Sequence, residues 1–223
     1  MLIVALADGA GSAAYADLGA TVTCDALIRS VLVRLNGSNV SEFTRGVITD
    51  VLNEARRALT LESARRGIPL RELACTVLVA VVDRDAAAFA QLGDGAFVIA
   101  REDRFEPVVW PQEGEYANTT NFLTDEDFVD SVEIVFFKEP ILEFAAFTDG
   151  LQRLALDYAN RTGHAGFFRP LFQRLKSAAT VEELLPPFRQ FLDSPRINDR
   201  TDDDKTLVLA TRLKPDEPAT ETR

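Results

Sequence analysis

Leu2-Ile3-Val4-Ala5-Leu6-Ala7-Asp8-Gly9-Ala10-Gly11 is a continuous apolar run that stops on an acid followed by glycine. A run this short and this apolar predicts a strand buried on both faces. The Asp-Gly step predicts a turn at its end. The same punctuation recurs downstream. Leu142 to Phe147 ends at Thr148-Asp149-Gly150, Ala86 to Leu92 is broken by Gly93-Asp94-Gly95, and Asp202-Asp203-Asp204 stands just before Thr206 to Thr211. An Asp-Gly pair alone has the composition of a turn, and three successive aspartates that of a solvated loop. Position sets these acids apart: they interrupt apolar strands, where turn chemistry does not ask for carboxylates so close to a core.

Outward from these strands, the periodicity alternates between helix and sheet. Cys24, Leu27, Ile28, Val31 and Leu35 form a helical stripe that Asn36-Gly37 ends. Ser41 is placed to cap a second helix carrying Phe43, Val47, Val51, Ala55 and Leu59, closed by Gly67 and Pro69. From Thr76 the period changes to that of strands: Thr76 to Val82, Ala86 to Leu92, Phe97 to Ala100 and Phe105 to Trp110 predict an antiparallel meander. Residues 111–130 are polar and aperiodic, the composition of a long surface excursion. Ile134 to Phe137 and Leu142 to Phe147 predict a hairpin across Lys138-Glu139-Pro140. Helical segments follow at Leu151 to Ala159, Phe167 to Leu175 and Val181 to Leu192, the last interrupted by Pro186-Pro187, and then a final strand. The expected class is α+β, two packed antiparallel sheets with helices outside.

The chain has 223 residues, 47% hydrophobic and 26% charged, which suits one domain over residues 1–213 with a polar, disordered tail over 214–223. The two cysteines, Cys24 and Cys75, sit in apolar segments and read as small core residues. The opening apolar run lacks a basic leader and is too short for a signal peptide or a span, so the expected location is cytoplasmic. The formal net charge of −11 repels nucleic acid and anionic lipid, and neither is expected as a partner. It also repels phosphorylated substrates, so a site for them needs local cations, which bound metal supplies.

Carboxylates at strand ends converge where one edge of a sheet gathers them. Magnesium and manganese take oxygen ligands and keep several waters. Two such ions roughly 3.5–4 Å apart acidify a bridging water and clamp a phosphoryl oxygen. Asp8, Asp149 and Asp203 therefore predict a divalent-metal centre of a phosphate-ester hydrolase.

In order along the chain, Ala7-Asp8-Gly9-Ala10-Gly11, Gly93-Asp94-Gly95, Phe147-Thr148-Asp149-Gly150 and Asp203-Asp204-Lys205-Thr206 resemble the motifs of the type 2C metal-dependent serine/threonine protein phosphatases, from Met1 to about Thr211. Glu115 to Leu123 resembles a segment of a bacterial branch of that family. The resemblance implies an α-β-β-α sandwich, two sheets flanked by helix pairs, and two manganese or magnesium ions. By motif position it implies that Asp8 bridges both ions, that the Gly9 carbonyl binds one, and that Asp149 and Asp203 hold the other. Asp94 matches an acid that helps bind a third, weaker ion in some relatives. The implied reaction is hydrolysis of phosphoserine and phosphothreonine in proteins by a metal-bound hydroxide, opposing a serine/threonine kinase. Three departures stand out. Ala10 replaces a histidine found in some relatives. Arg153 stands where some have a further acid. A strand carrying an acid for the second ion precedes the first Asp-Gly in relatives, so the chain as given is expected to lack the first strand and to fill its second metal site poorly.

Other functions compete. A catalytically weak binding or signalling module is favoured by Ala10 and the absent strand, and opposed by the intact aspartates. A two-metal nuclease is disfavoured by the acidic charge and the lack of a basic stripe. Among single residues, His164 reads as surface loop and Trp110 as packing. Thr76 reads as structural. Asn118, Thr119 and Thr120 either border the active cleft or cap the excursion.

Overall fold

The computed structural model describes residues 1–36, 39–102, 104–112 and 120–212. Its strands are β1 (Leu2–Leu6), β2 (Val77–Val82), β3 (Ala87–Leu92), β4 (Ala96–Arg101), β5 (Arg104–Pro107), β6 (Glu133–Phe137), β7 (Glu143–Phe147), β8 (Leu156–Asp157), β9 (Thr162–Gly163) and β10 (Leu207–Thr211). One sheet has the order β1-β2-β3-β6 and the other β10-β7-β4-β5-β9-β8, and every pairing is antiparallel. The expected pair of antiparallel sheets is present. The topology within it differs from a plain meander. Gly93-Asp94-Gly95 carries the chain from one sheet to the other, so β3 and β4 are not paired with each other. The turn at Lys138-Glu139-Pro140 does the same, so β6 and β7 are not a hairpin: β6 pairs with β3, and β7 with β4. Alternation along a strand says which residues share a face, and not which sheet that face belongs to.

Helices α1 (Ala16–Leu35) and α2 (Arg45–Arg66) cover the outer face of the first sheet. Along α1 the buried positions are Gly19, Thr23, Ala26, Leu27, Ser30 and Val31, whereas Cys24 is half-buried and Ile28 exposed. Small residues win that face because the backbone comes close: a side chain at Gly19 would run into the carbonyl of Leu73. The Thr23 hydroxyl lies 3.2 Å from the Cys75 sulfur. Thr44, rather than Ser41, caps α2 by accepting from the Val47 amide at 3.3 Å, and Ser41 sits in a preceding 3-10 turn. Gly67 closes α2 with a left-handed φ of 67°.

The second sheet is covered by α4 (Gln152–Ala155), α5 (Ala165–Ser177), α6 (Leu185–Leu192) and α7 (Pro195–Asn198). A short helix, α3 (Phe128–Ser131), lies in the excursion. The helix expected over Leu151 to Ala159 stops at Ala155, and the β8–β9 ribbon takes its place. Pro186-Pro187 starts α6 instead of interrupting a longer helix, since a missing N–H costs nothing in a first turn.

Between the sheets, Phe89 meets Phe97, Phe137 and Phe144 edge-on, with ring centroids 5.0, 5.7 and 5.8 Å away. Truncating Phe89 to alanine would cost about 3–5 kcal/mol. β1 is buried less than expected. Val4 and Leu6 face the other sheet, Ile3 and Ala5 pack partly against the helices, and the strand forms one edge of its sheet. Gln91, in β3, is 1% exposed, and neither of its amide atoms has a hydrogen-bond partner. Residues 213–223, where the tail is expected, lie outside the described residues, as do Asn118 and Thr119.

Candidate metal centre

Strand register brings the acids to one end of the sandwich. Leu6 sits opposite Leu78, and Leu78 opposite Gln91, so the end of β1, the start of β2 and the end of β3 lie side by side. In the other sheet Ala96 and Leu207 both face Phe147, which aligns the start of β4, the end of β7 and the start of β10. Asp8, Asp94, Asp149 and Asp203 follow or precede these strand ends by two to four residues.

Two threonines fix the strand ends. The Thr76 hydroxyl accepts from the Asp8 amide at 3.0 Å, and the Thr76 amide donates to the Asp8 carbonyl at 2.8 Å. The ladder thus continues past β1 and carries Asp8 into the site. The reading of Thr76 as structural stands, with positioning of Asp8 as the content of that role. Thr148 does the same in the second sheet: its hydroxyl accepts from the Thr206 amide at 3.2 Å, and its amide donates to the Thr206 carbonyl at 3.2 Å. Asp149 and Asp203 are thereby held on neighbouring segments. Gly150 is required by crowding, because a Cβ there would collide with the Asp204 carbonyl oxygen. Gly9 is required likewise, its Cβ falling 2.6 Å from that of Ala16. Neither has a positive φ. Of the glycines beside these acids, Gly93, with φ 93°, is the one that needs the conformational freedom of glycine for its turn.

Asp94 is oriented by residues that periodicity did not single out. Gln152 donates its amide to the Asp94 carbonyl, and Thr120 donates its hydroxyl to Asp94 Oδ2 at 2.8 Å. The Gln152 side-chain oxygen accepts from the Tyr158 hydroxyl at 2.9 Å. Tyr158 meets Trp110 edge-on, and the Arg161 guanidinium lies 4.9 Å from the centre of the Trp110 ring. Trp110 packs, as expected, and it also carries a cation. The signal for Gln152 in the sequence was slight, a polar residue three positions after Asp149. His164 immediately precedes α5, and its exposed side chain belongs to the surface.

The electrostatics are those of crowded like charges. Burial pushes Asp8 up to about 7, helped by its hydrogen bond with Asp149 and by the charges of Asp149, Asp203 and Asp94. Burial raises Asp149 as well, against the hydrogen bond with Asp8, and Asp94 and Asp203 add to the rise. Asp149 Oδ1 is buried with no hydrogen-bond partner. An unpartnered buried carboxylate oxygen is costly, and a cation is the partner that suits it. Among the described residues no three acid, histidine or cysteine side chains form a ready ligand set for one ion. The donor set still fits a hard divalent ion, because such ions bind through one or two carboxylates and keep their waters.

The sequence profile of protein phosphatase 2C matches residues 1–188. The chain is 38% identical over 213 residues to serine/threonine-protein phosphatase 3 of Escherichia coli (strain K12), covering 94% of this chain and 83% of that one. The fold resembles a bacterial serine phosphatase, with a TM-score of 0.65 at 14% identity over 96% of this chain and 87% of the other. It also resembles the catalytic domain of the serine/threonine protein phosphatase PstP in complex with two manganese ions, with a TM-score of 0.63 at 14% identity over 95% and 88% of the two chains.

Proposed function

Because the chain belongs to the protein phosphatase 2C family, we propose that it hydrolyses phosphoserine and phosphothreonine in proteins at the cluster of Asp8, Asp94, Asp149 and Asp203. The observation that carries this reading is the buried, unpartnered Asp149 Oδ1 beside a raised Asp8. Like charges this close are relieved by a proton or by a bound cation, and a buried carboxylate oxygen without a partner suits the cation.

Asp8, the Gly9 carbonyl, Asp149 and Asp203 would hold two manganese or magnesium ions, with Asp94 at the flank. When bound, such ions lower the pKa of water and offset charge on a phosphoryl group. The chain's own residues set the frame. Thr76 aims Asp8, the Thr148–Thr206 pair holds Asp149 against Asp203, and Gln152 and Thr120 hold Asp94. Ala10 is buried and offers no proton donor beside Asp8. The natural partner is a phosphorylated protein, opposed by a serine/threonine kinase. No helix among the described residues is long and apolar enough to cross a membrane.

The absence of a ready three-acid ligand set among the described residues favours one second reading, a weakly catalytic binding module. A manganese-dependent assay on an aryl phosphate, a phosphothreonine peptide and DNA separates the possibilities. The phosphatase reading requires phosphate release from the first two and none from DNA. An intact peptide at saturating manganese, with the protein folded, favours the module; cleaved DNA would replace both readings.

A further inference from the structure

We propose that the cavity between α4, α5, α6 and α7 binds a small organic oxyanion, a phosphate, phosphonate or sulfonate head carried on an apolar ring or chain. The cavity has a volume of about 320 Å³ and none of Asp8, Asp94, Asp149 or Asp203 lines it. It is therefore a different site from the acidic cluster.

Its charge is the opposite of the molecule's. The chain has 35 acids against 24 lysines and arginines, yet Arg153, Arg196 and Arg200 line this cavity together with His164, and no acid lines it. None of the three guanidiniums makes an ion pair or hydrogen bond among the described residues. Several surface arginines, by contrast, are paired: Arg65 and Arg66 with Glu62, and Arg101 with Glu139. Three unpaired guanidiniums around one hollow repel each other, and a multivalent oxyanion accepting their paired N–H groups relieves that repulsion.

The floor is apolar. Phe167 and Ile197 are buried, with Phe191 packed against them. A bare phosphate ion would touch the rim and leave this floor wet. A head group carried on a ring would satisfy the arginines and cover the floor, the usual division of labour in a small-molecule site, and the volume falls at the lower end of such cavities, about 300–1,000 Å³. Arg153 lies four residues after Asp149, and Arg200 three before Asp203. Ligand here would thus touch both segments that bring acids to the metal centre.

Titration calorimetry with phenylphosphonate, which carries no hydrolysable ester, tests the proposal on the full chain, without divalent metal and again with manganese. The expected result is binding without metal that persists in Asp149→Asn and weakens by about tenfold or more in the Arg196→Ala/Arg200→Ala double variant. Arg196→Lys/Arg200→Lys should retain part of the affinity, which guards against a double alanine variant that merely misfolds. Inorganic phosphate should bind more weakly than phenylphosphonate. No binding without metal would overturn the proposal, as would wild-type affinity in folded double alanine and double lysine variants. Equal affinity for inorganic phosphate would overturn the organic ligand. Persistence in Asp149→Asn keeps this outcome separate from any failure of the phosphatase reading.

Discussion

Asp8 and Asp149 show what a single carboxyl can reveal and conceal. Both were legible in the sequence because each interrupts an apolar strand. The hydrogen bonds that hold the site's acids in place were not, because Thr76 to Asp8, Thr120 and Gln152 to Asp94, and Thr148 to Thr206 join residues 26 to 68 positions apart in the chain. Asp149→Asn keeps the size of the side chain and removes the charge, so it should lower manganese-dependent turnover of a phosphothreonine peptide by about a hundredfold or more while the melting temperature holds. Near wild-type turnover at saturating manganese would refute the assignment. Asp8 gives a second, independent prediction. Its pKa rises on folding from 3.8 to about 7. The folded state therefore holds more protons than the unfolded chain within that window, and stability falls as pH rises through it. Without metal, Asp8→Asn should melt above wild type by a margin that is small near pH 3.8 and largest near pH 7. A margin independent of pH would show that Asp8 is not strained by its neighbours. His164, exposed at the start of α5, takes no part in this balance. His164→Ala should leave the pH–rate profile of the phosphatase reaction in place, and a lost limb would make it a proton donor.

At the scale of elements, β1, β2, β3, β6, β7 and β10 were all legible within a residue or two, because their apolar runs are bounded by Gly, Asp and Pro. Their partners were legible only in part: β2 pairs with β3 and β4 with β5, as a meander has it, but β3 does not pair with β4, nor β6 with β7. Gly93-Asp94-Gly95 and Lys138-Glu139-Pro140 have the composition of hairpin turns, and each instead moves the chain between sheets, since burying both sheets' inner faces outweighs local pairing. The same crossing is what delivers Asp94 to the site. Glycines at these ends are held by close packing, which gives a comparison. A Cβ at Gly150 would strike the Asp204 carbonyl, whereas one at Gly11 meets nothing within 4 Å. Gly150→Ala should displace the Asp203 segment and lose most activity, and Gly11→Ala should keep it. Equal effects on phosphate release would remove the argument that crowding at Gly150 places Asp203. In β3, Gln91 buries two amide atoms without partners. Replacing it by Leu should stabilise the fold by roughly 1–3 kcal/mol, read as a rise in melting temperature, and a fall would mean that the amide is satisfied by water in solution.

Across the whole molecule, the architecture places helices, sheet, sheet and helices in layers, and its one acid-rich end receives four carboxyls from separate stretches of chain. That arrangement was legible as a class from the alternation of periods. The direction of the charges was legible from the formal net charge of −11, which leaves a phosphorylated substrate no general attraction. What the linear pattern could not hold is the segregation of charge in space: acids at the strand ends, and Arg153, Arg196 and Arg200, without an ion pair among the described residues, around a separate hollow. The central claim is that the acid-rich end is a divalent-cation site. Calorimetric titration of the wild-type chain and of Asp149→Asn with manganese, at neutral pH, tests it most directly. The account predicts saturable binding to wild type and a loss of at least about tenfold in affinity in the variant, from one missing ligand charge. Manganese binding of equal strength in the two proteins, or none in either while both remain folded, would contradict it.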